Sequence, residues 1–515
     1  LTPLTTDKPK HGCFFNSIRT SFLKFFTGRG GAASGGGFWH ERLAPAIVTV
    51  IPLALACLLA GCTVGPDYLK PDVTLNPFHN AEAVTGHTAE KPAPPLDQWW
   101  LGFNDPELTK IIQRALAQNF DIKASLERVL QARAAARAAG ARLLPAFDAS
   151  AQLLAERQSL ESPIGSIAQT LPGYNRNGDL YDVGAAASWE IDLFGGLRRG
   201  KEAAKAEADA AEAMQLGVRV SVAADAADAY LQVRGVQARL GVIQDLIATD
   251  TNLLDLVRLR KAHGMATDRE VAQAEALLAQ ARGMVPLLRI ELEAQLNRLD
   301  LLMGAQPGTY AEELAAPAPL PNVPPISVTS SDLLRRRPDV IAAERAMAAA
   351  NARIGAALAG YYPKLSLSGL LGFESLSPSR LFKSATFQPM AIAGLRWRLF
   401  DFGEIDAEVA MANAATREAL ARYRQTVLRA AEDVENACGA LAQREVHGQE
   451  VVNQINALTR ARDESQEAYR SGLIPLTDTL DADRQLLVAE EDLPRTRTDA
   501  ARAAVRLFRA LGGGW

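Results

Sequence analysis

The chain has 515 residues, 48% of them apolar but only 6% aromatic, and a formal net charge of −4. That charge carries no electrostatic footprint for nucleic acid, and an alanine-rich, aromatic-poor composition favours long helices with close backbone approach. The four cysteines, Cys13, Cys57, Cys62 and Cys438, fit neither a zinc spacing nor a CxxC redox pair.

Residues 1–42 are irregular and glycine-rich, with Lys24, Arg29 and Arg42 supplying positive charge. Leu43 to Ala60 is almost entirely apolar, but it is short for a membrane-spanning helix and carries Pro45 and Pro52. A charged stretch followed by a short apolar core reads as a signal region over 1–61, removed in the mature protein. Leu59-Ala60-Gly61-Cys62 then resembles the lipobox of bacterial lipoproteins. Cys62 is the expected mature N-terminus, carrying covalent lipid, and several acyl chains hold a membrane far more firmly than one. Thr63 in place of Asp suits outer-membrane sorting, by likeness to known lipoproteins. Cys438 is then left without a partner for an internal disulfide.

The rest of the chain repeats itself. Trp189-Glu190-Ile191-Asp192-Leu193-Phe194-Gly195 aligns with Trp397-Arg398-Leu399-Phe400-Asp401-Phe402-Gly403, and the same offset takes Asp225 to Asp433 and Gly264 to Gly472. Each copy reads as helix, strand, strand, long helix, helix. In the first copy a helix from about Asp121 to Arg142 stops before Pro145, which disfavours helix at Leu144. A strand near Phe147–Leu153, a polar loop and a second strand through Val183, Ala185, Ala187, Trp189 and Ile191 follow, the last with a period of two. An unbroken helical pattern then runs from about Leu197 to His263, some 100 Å at 1.5 Å per residue. Val236, Leu240, Ile243, Ile247, Leu254 and Val257 form a coiled-coil-like seam on it, interrupted by Asp250. In the second copy Leu365, Leu367, Leu371 and Phe373 alternate with serines, and Leu395, Trp397 and Leu399 alternate with Arg396 and Arg398.

Strands with one apolar and one polar face suit a barrel between lipid and a wet lumen. Trp189 and Trp397 stand where an interfacial aromatic belt would lie. Four strands cannot close a membrane barrel, and an open edge cannot sit in hydrocarbon, so several chains must share one barrel.

The motifs then point to a family. Cys62-Thr63-Val64-Gly65-Pro66-Asp67-Tyr68 resembles the mature start of NodT-type outer-membrane factors, and Trp100-Leu101-Gly102-Phe103-Asn104-Asp105-Pro106-Glu107-Leu108 resembles the segment that follows it there. Arg336-Arg337-Pro338-Asp339-Val340 through Glu344, Asn351-Ala352-Arg353-Ile354-Gly355 and Tyr361-Tyr362-Pro363 are similar to the opening of that family's second repeat. The resemblance implies a mixed, mainly helical TolC-like fold. It implies a homotrimer with a shared twelve-stranded transmembrane β-barrel, a twelve-helix periplasmic α-barrel and an equatorial region. The implied division is a lipidated segment and equatorial part over 62–120, a first repeat over 121–304, a linker over 305–331, a second repeat over 332–511 and a tail over 512–515. The implied role is the passive exit channel of a tripartite efflux pump. Its implied partners are a periplasmic adaptor, an inner-membrane pump of the resistance-nodulation-division type and outer-membrane lipid. A type I secretion channel of the same fold, or a lipid-anchored coiled-coil scaffold without a pore, are the alternatives.

Enzyme signatures are missing from the sequence: there is no HExxH, no GxxxxGK[ST] and no GxSxG. No cofactor or metal is expected, the pair Asp481 and Asp483 having no further ligand cluster beside it. The more informative segments are the two helix–helix turns at Gly264 and Gly472, where a helix ends with positive φ. By resemblance these form the periplasmic tip. Asp478 and Asp481, three apart on one helix face, match the aperture's double aspartate ring, which would favour cations. Tyr469 and Glu270 match members of the bond network that closes the aperture, whereas Ile474 replaces an arginine of that network.

Overall fold

The structure is a computed structural model that describes residues 63–72, 76–81, 94–326, 328 and 331–515. All lie in one compact unit, Gly61–Trp515. The signal region and Cys62 lie outside the described residues.

A short 3-10 helix, Leu96–Phe103, leads into α1, Pro106–Gln118, and α2, Phe120–Ala141. α1 starts where Asp105 accepts the amides of Glu107 and Leu108 and Pro106 fixes the first helical φ. Strand β1, Ala146–Arg157, is followed by a one-and-a-half-turn helix, α3, Pro163–Ala168, and by β2, Asn177–Ile191. The long helix α4, Gly196–Ala262, turns back into α5, Asp268–Leu302. The second copy supplies α6, Pro338–Leu358, β3, Lys364–Ser375, β4, Phe387–Arg396, α7, Glu404–Arg470, and α8, Leu476–Ala510.

The duplication is visible in the element lengths. α4 and α7 each have 67 residues, α5 and α8 each have 35, and both pairs start 208 residues apart. Pro286 and Pro494 occupy equivalent places inside α5 and α8. Two sequence expectations need correction. The stretch between β1 and β2 is not all loop: Ser162 caps α3 by accepting the Gly165 amide, with Pro163 next to it. The last strand does not reach Leu399: β4 ends at Arg396, one residue before Trp397. The ladder stops there because β3 starts at Lys364, opposite Arg396, so that Trp397 would face Pro363, which has no N–H to give; farther on, Phe402 takes φ +52°.

The four strands form one antiparallel sheet in the order β1-β2-β3-β4, with Ala146 opposite Ser188, Ile191 opposite Leu365 and Lys364 opposite Arg396. β1 and β4 are therefore its two edges. The side chains of β1 are exposed throughout, including Phe147, Leu153 and Leu154, so the sheet has no core of its own in one chain.

The core lies instead at the middle of the helical body. Trp99, fully buried, stacks on Phe508 at 5.2 Å between ring centres. Tyr230, Leu231, Leu108 and Ile112 fill the same cluster. The Tyr230 hydroxyl donates to Asp105 at 2.7 Å, which ties α4 to the cap of α1. The last residues close this core, since the Gly514 amide donates to the Leu96 carbonyl at 2.7 Å. No helix among the described residues is long and apolar enough to cross a membrane.

Candidate channel sheet, anchor seat and helical tip

At the base of the sheet both tryptophans do the same thing. The Trp189 indole N–H donates to Leu143 O and that of Trp397 to Tyr361 O, each at 3.0 Å. Each acceptor stands two residues before a proline, Pro145 or Pro363, at the helix-to-strand corner of its repeat. A ring with an apolar body and a hydrogen-bonded N–H fits the boundary between lipid and water.

Beside that corner lies the seat of the N-terminal segment. Arg199, on the first turn of α4, is buried. Its guanidinium donates to the carbonyls of Val64 and Gly65, each at 3.2 Å, to Asp67 at 2.8 Å and to Glu202 at 2.8 Å. The Val64 amide donates to Phe194 O. The backbones of Gly65 and Gly355 touch so closely that a Cβ on Gly65 would lie 2.4 Å from Gly355 Cα. Farther along, the Tyr68 hydroxyl donates to the buried carboxylate of Glu344 at 2.9 Å, and Lys70 pairs with the same group. The residues just after Cys62 are thus clamped at the level where the strands meet the long helices.

At the other end the two turns are near copies. Gly264 has φ +70° and Gly472 φ +74°. The Met265 amide donates to Arg260 O and the Leu473 amide to Ala468 O, the six-residue closure that ends a helix at a left-handed glycine. Thr267 and Glu270 form a reciprocal capping box, in which Glu270 accepts the Thr267 amide at 2.6 Å and its hydroxyl at 2.8 Å. Those bonds hold the Glu270 carboxyl below its usual range. Tyr469 is buried with Val257, Leu476 and Leu480, and Ile474 packs against this cluster. The Arg260 guanidinium lies 4.3 Å over its ring.

Within one chain the structure does not bond Tyr469 to Glu270. The Tyr469 hydroxyl has no hydrogen-bond partner among the described residues, and the Glu270 carboxylate is taken up by Thr267. Asp478 and Asp481 are both exposed. Asp481 accepts from Arg484 at 2.8 Å and Gln485 at 2.6 Å on its own helix, an exposed arrangement that only partly offsets its charge.

Several residues escaped the sequence reading. Arg199 and Glu344 sit in ordinary helical surface patterns, and nothing local marks them as buried. Asp250 did leave a signal, as the single break in the α4 seam. It is 7% exposed, and burial together with the neighbouring Asp483 raises its pKa to about 6.

The family described as outer membrane efflux protein matches residues 111–305 and 329–513. A pyoverdine export outer membrane protein, OpmQ, of Pseudomonas putida is 32% identical over 92% of this chain and 98% of its own length. Nodulation protein T of Rhizobium leguminosarum is 29% identical over 89% of this chain and 96% of its own. Among solved structures, the outer-membrane channel OprN superposes with a TM-score of 0.80 at 31% identity, over 88% of this chain and all of that one.

Proposed function

The chain belongs to the outer membrane efflux protein family, and from that membership we propose that three copies close one exit conduit across the outer membrane. The chain is the outer-membrane channel of an efflux pump, and its helical hairpins form a periplasmic tunnel below the barrel. Twelve strands, four from each copy, would line the lumen in the membrane, and the two hairpins of each copy would build a twelve-helix wall. The observation that carries this reading is the open sheet, with unpaired edges β1 and β4, standing on two 67-residue helices. Backbone groups at such edges have no partner in hydrocarbon, and closure by further copies supplies one.

The conduit would carry small molecules passively, with no covalent step and no cofactor beyond lipid on Cys62. A periplasmic adaptor and a resistance-nodulation-division pump in the inner membrane would deliver cargo and energy. The seat of Thr63 to Asp67 supports the anchor, because it holds Val64 and Gly65 against Phe194 and Arg199, just past the end of β2. The two left-handed glycines support a tip that narrows the tunnel, with Asp478 and Asp481 lining it and Tyr469 and Glu270 beside it. Purified protein in planar bilayers tests the whole: discrete trimeric conductance is expected, with cation preference reduced in the D478N/D481N double variant. A protein that is monomeric in mild detergent and silent in bilayers would overturn it.

A further inference from the structure

The long helices of one chain pack as a row of four rods. α5 ends where α2 begins, and Asn119 joins them by donating to the Leu302 carbonyl at 2.9 Å. α8 and α6 are joined in the same way, by Arg337 donating to the Ala510 carbonyl at 2.9 Å. α4 packs on both composite rods, whereas α7 packs on α6 and α8. The row therefore has two open edges, α7 at one end and the α2/α5 rod at the other. Burial follows that division. α4 has 24 buried residues and α7, of equal length, has 10, while α8 has 15 and α5 has 6. Each edge helix is thus bare where its counterpart in the other repeat is covered.

The duplication says what covers the edges. The internal seam joins α4 of the first repeat to the α6/α8 rod of the second. One repeat further on, α7 takes the place of α4, and the next rod is the α2/α5 rod of a second copy. The exposed apolar side chains fall on this correspondence. Met411, Leu428 and Val446 of α7 are 57–69% exposed. Their counterparts on α4, 208 residues earlier, lie on the internal seam. Ala203 is buried with Ala348 of α6, Val220 borders a groove with Ala510, and Ala238 borders one with Pro494. On the other edge Leu130, Ile290 and Leu301 are 46–70% exposed. Their counterparts are Ala348, Thr498 and Arg509. Thr498 abuts Gly235 of α4, and Arg509 bonds Asp225 there. The strands give no equal template, because β2 reaches Ile191 while β4 stops at Arg396, three residues short of the equivalent place.

The two seams differ in chemistry. Asp228 pairs with Arg502 at 2.7 Å and Arg239 with Glu491 at 2.6 Å across the internal seam. The counterparts across the outer seam are Asn436 with Ala294 and His447 with Gly283. Glu207 pairs with Arg353, and Asp225 with Arg509 at 3.2 Å. Their counterparts are Ala415 with Ala135 and Asp433 with Leu301. Asp433 is already held by Arg337 of its own chain at 2.9 Å. All four ion pairs are therefore lost. Burying an aliphatic side chain stabilises more than an exposed ion pair does, which suits a seam that chain connectivity does not hold.

We infer that α7 of one copy docks on the α2/α5 rod of a second copy, in the register of the internal seam, through aliphatic contacts in place of its ion pairs. Two different faces meet, a head-to-tail contact that closes into a ring. The inference rests on the reading that several copies share one conduit, and its test keeps the two apart.

Cysteine cross-linking of the purified full protein in mild detergent, without an adaptor, is the experiment. Thr498 Cβ lies 3.0 Å from the place a Cβ on Gly235 would take, so cysteines at the outer counterparts need part only slightly to reach disulfide geometry. Both outer positions, Gln443 and Ile290, are exposed in one chain, so their replacement leaves the row intact. On oxidation, Q443C/I290C should give a covalent trimer, and neither single variant should. Q443C/N297C, displaced by about 10 Å along the helix, should give at least tenfold less. If Q443C/N297C cross-links equally well, or neither pair does while light scattering still shows a trimer, the docking register is overturned and the shared conduit stands. If neither pair cross-links and the protein is monomeric, both readings fail. The unaltered protein gives a check free of folding effects. Its trimer fraction should hold between about 0.05 and about 1 M NaCl, where exposed ion pairs are screened. A severalfold fall would overturn the aliphatic seam.

Discussion

Single side chains decide two matters here, the seat of the N-terminal segment and the acid balance of the helical seam. Gly355 lies inside α6, where alanine would ordinarily gain about 1 kcal/mol of helix stability. Its added Cβ would, however, stand 2.7 Å from Val64 O and 2.8 Å from Arg199 Cγ. Backbone on one side and a buried guanidinium on the other leave no soft direction, so the clash outweighs the propensity. Gly355→Ala should release residues 63–72 and speed their proteolysis, about tenfold for each 1.4 kcal/mol lost. Arg199→Ala should act in the same direction, because it strips hydrogen bonds from two backbone carbonyls at about 1 kcal/mol each. Unchanged cleavage in both variants would contradict the clamp. Asp250 makes the opposite kind of contribution. Its raised pKa means that the folded state binds its proton more tightly than the unfolded chain does. Its stabilisation is therefore greatest in acid and declines as pH rises from about 4 through about 6. Asp250→Asn should raise Tm at pH 7, by about 2–4 °C for each kcal/mol recovered, with the gain vanishing near pH 4. A gain that grows in acid would reverse the sign and refute the assignment.

Among the elements, the long helices were the most legible. Gly264 and Gly472 punctuate two runs of helix-forming residues, and the observed ends at Ala262 and Arg470 fall just before them. The repeat offset was equally plain, because Trp189 and Trp397 anchor equivalent corners. What could not be read was helix-against-helix register, since it depends on close approach between residues far apart in the chain. Gly235 of α4 is an instance: a Cβ there would fall 2.1 Å from Thr498 Oγ1 of α8. Thr498 is fixed in turn by donating to Pro494 O at 2.7 Å. Overpacking of this kind costs about 1–3 kcal/mol, more than the helix propensity gained from alanine. Gly235→Ala should therefore lower the thermal midpoint, and a second change, Thr498→Ala, should restore most of it. If the double variant is no more stable than the single one, the contact is not the cause. The strand boundaries were less legible than the helices for a related reason. Trp397 alternates correctly with Arg396 and Arg398, yet the ladder stops at Arg396, because the residue Trp397 would face is Pro363, outside β3 and without an N–H.

For the molecule as a whole, the decisive quantity is the free energy of the sheet's two edges. About half of the twelve residues of β1 direct their N–H and C=O groups away from β2. At several kcal/mol for each unpaired group in hydrocarbon, one bare edge would cost tens of kcal/mol. A folded chain has only about 5–15 kcal/mol to lose. The sheet is thus affordable in a membrane only when β1 of one copy pairs with β4 of another. This was legible in the sequence as a count of strands too small to close, whereas the register between copies was not, because one chain holds no trace of it. Ala151 and Gln152 sit at the centre of β1, opposite Val183 and Asp182. Neighbouring residues on a strand send their N–H groups to opposite sides, so one of the two bonds to β2 and the other points outward. Proline removes that donor, and a true edge strand tolerates the loss on its outward side. In a closed barrel neither position is an edge. Ala151→Pro and Gln152→Pro should therefore both reduce the trimer fraction, measured by light scattering corrected for bound detergent, and both should lower conductance per milligram of protein. If one of the two keeps a full trimer and wild-type conductance, β1 is a free edge and the shared barrel is wrong.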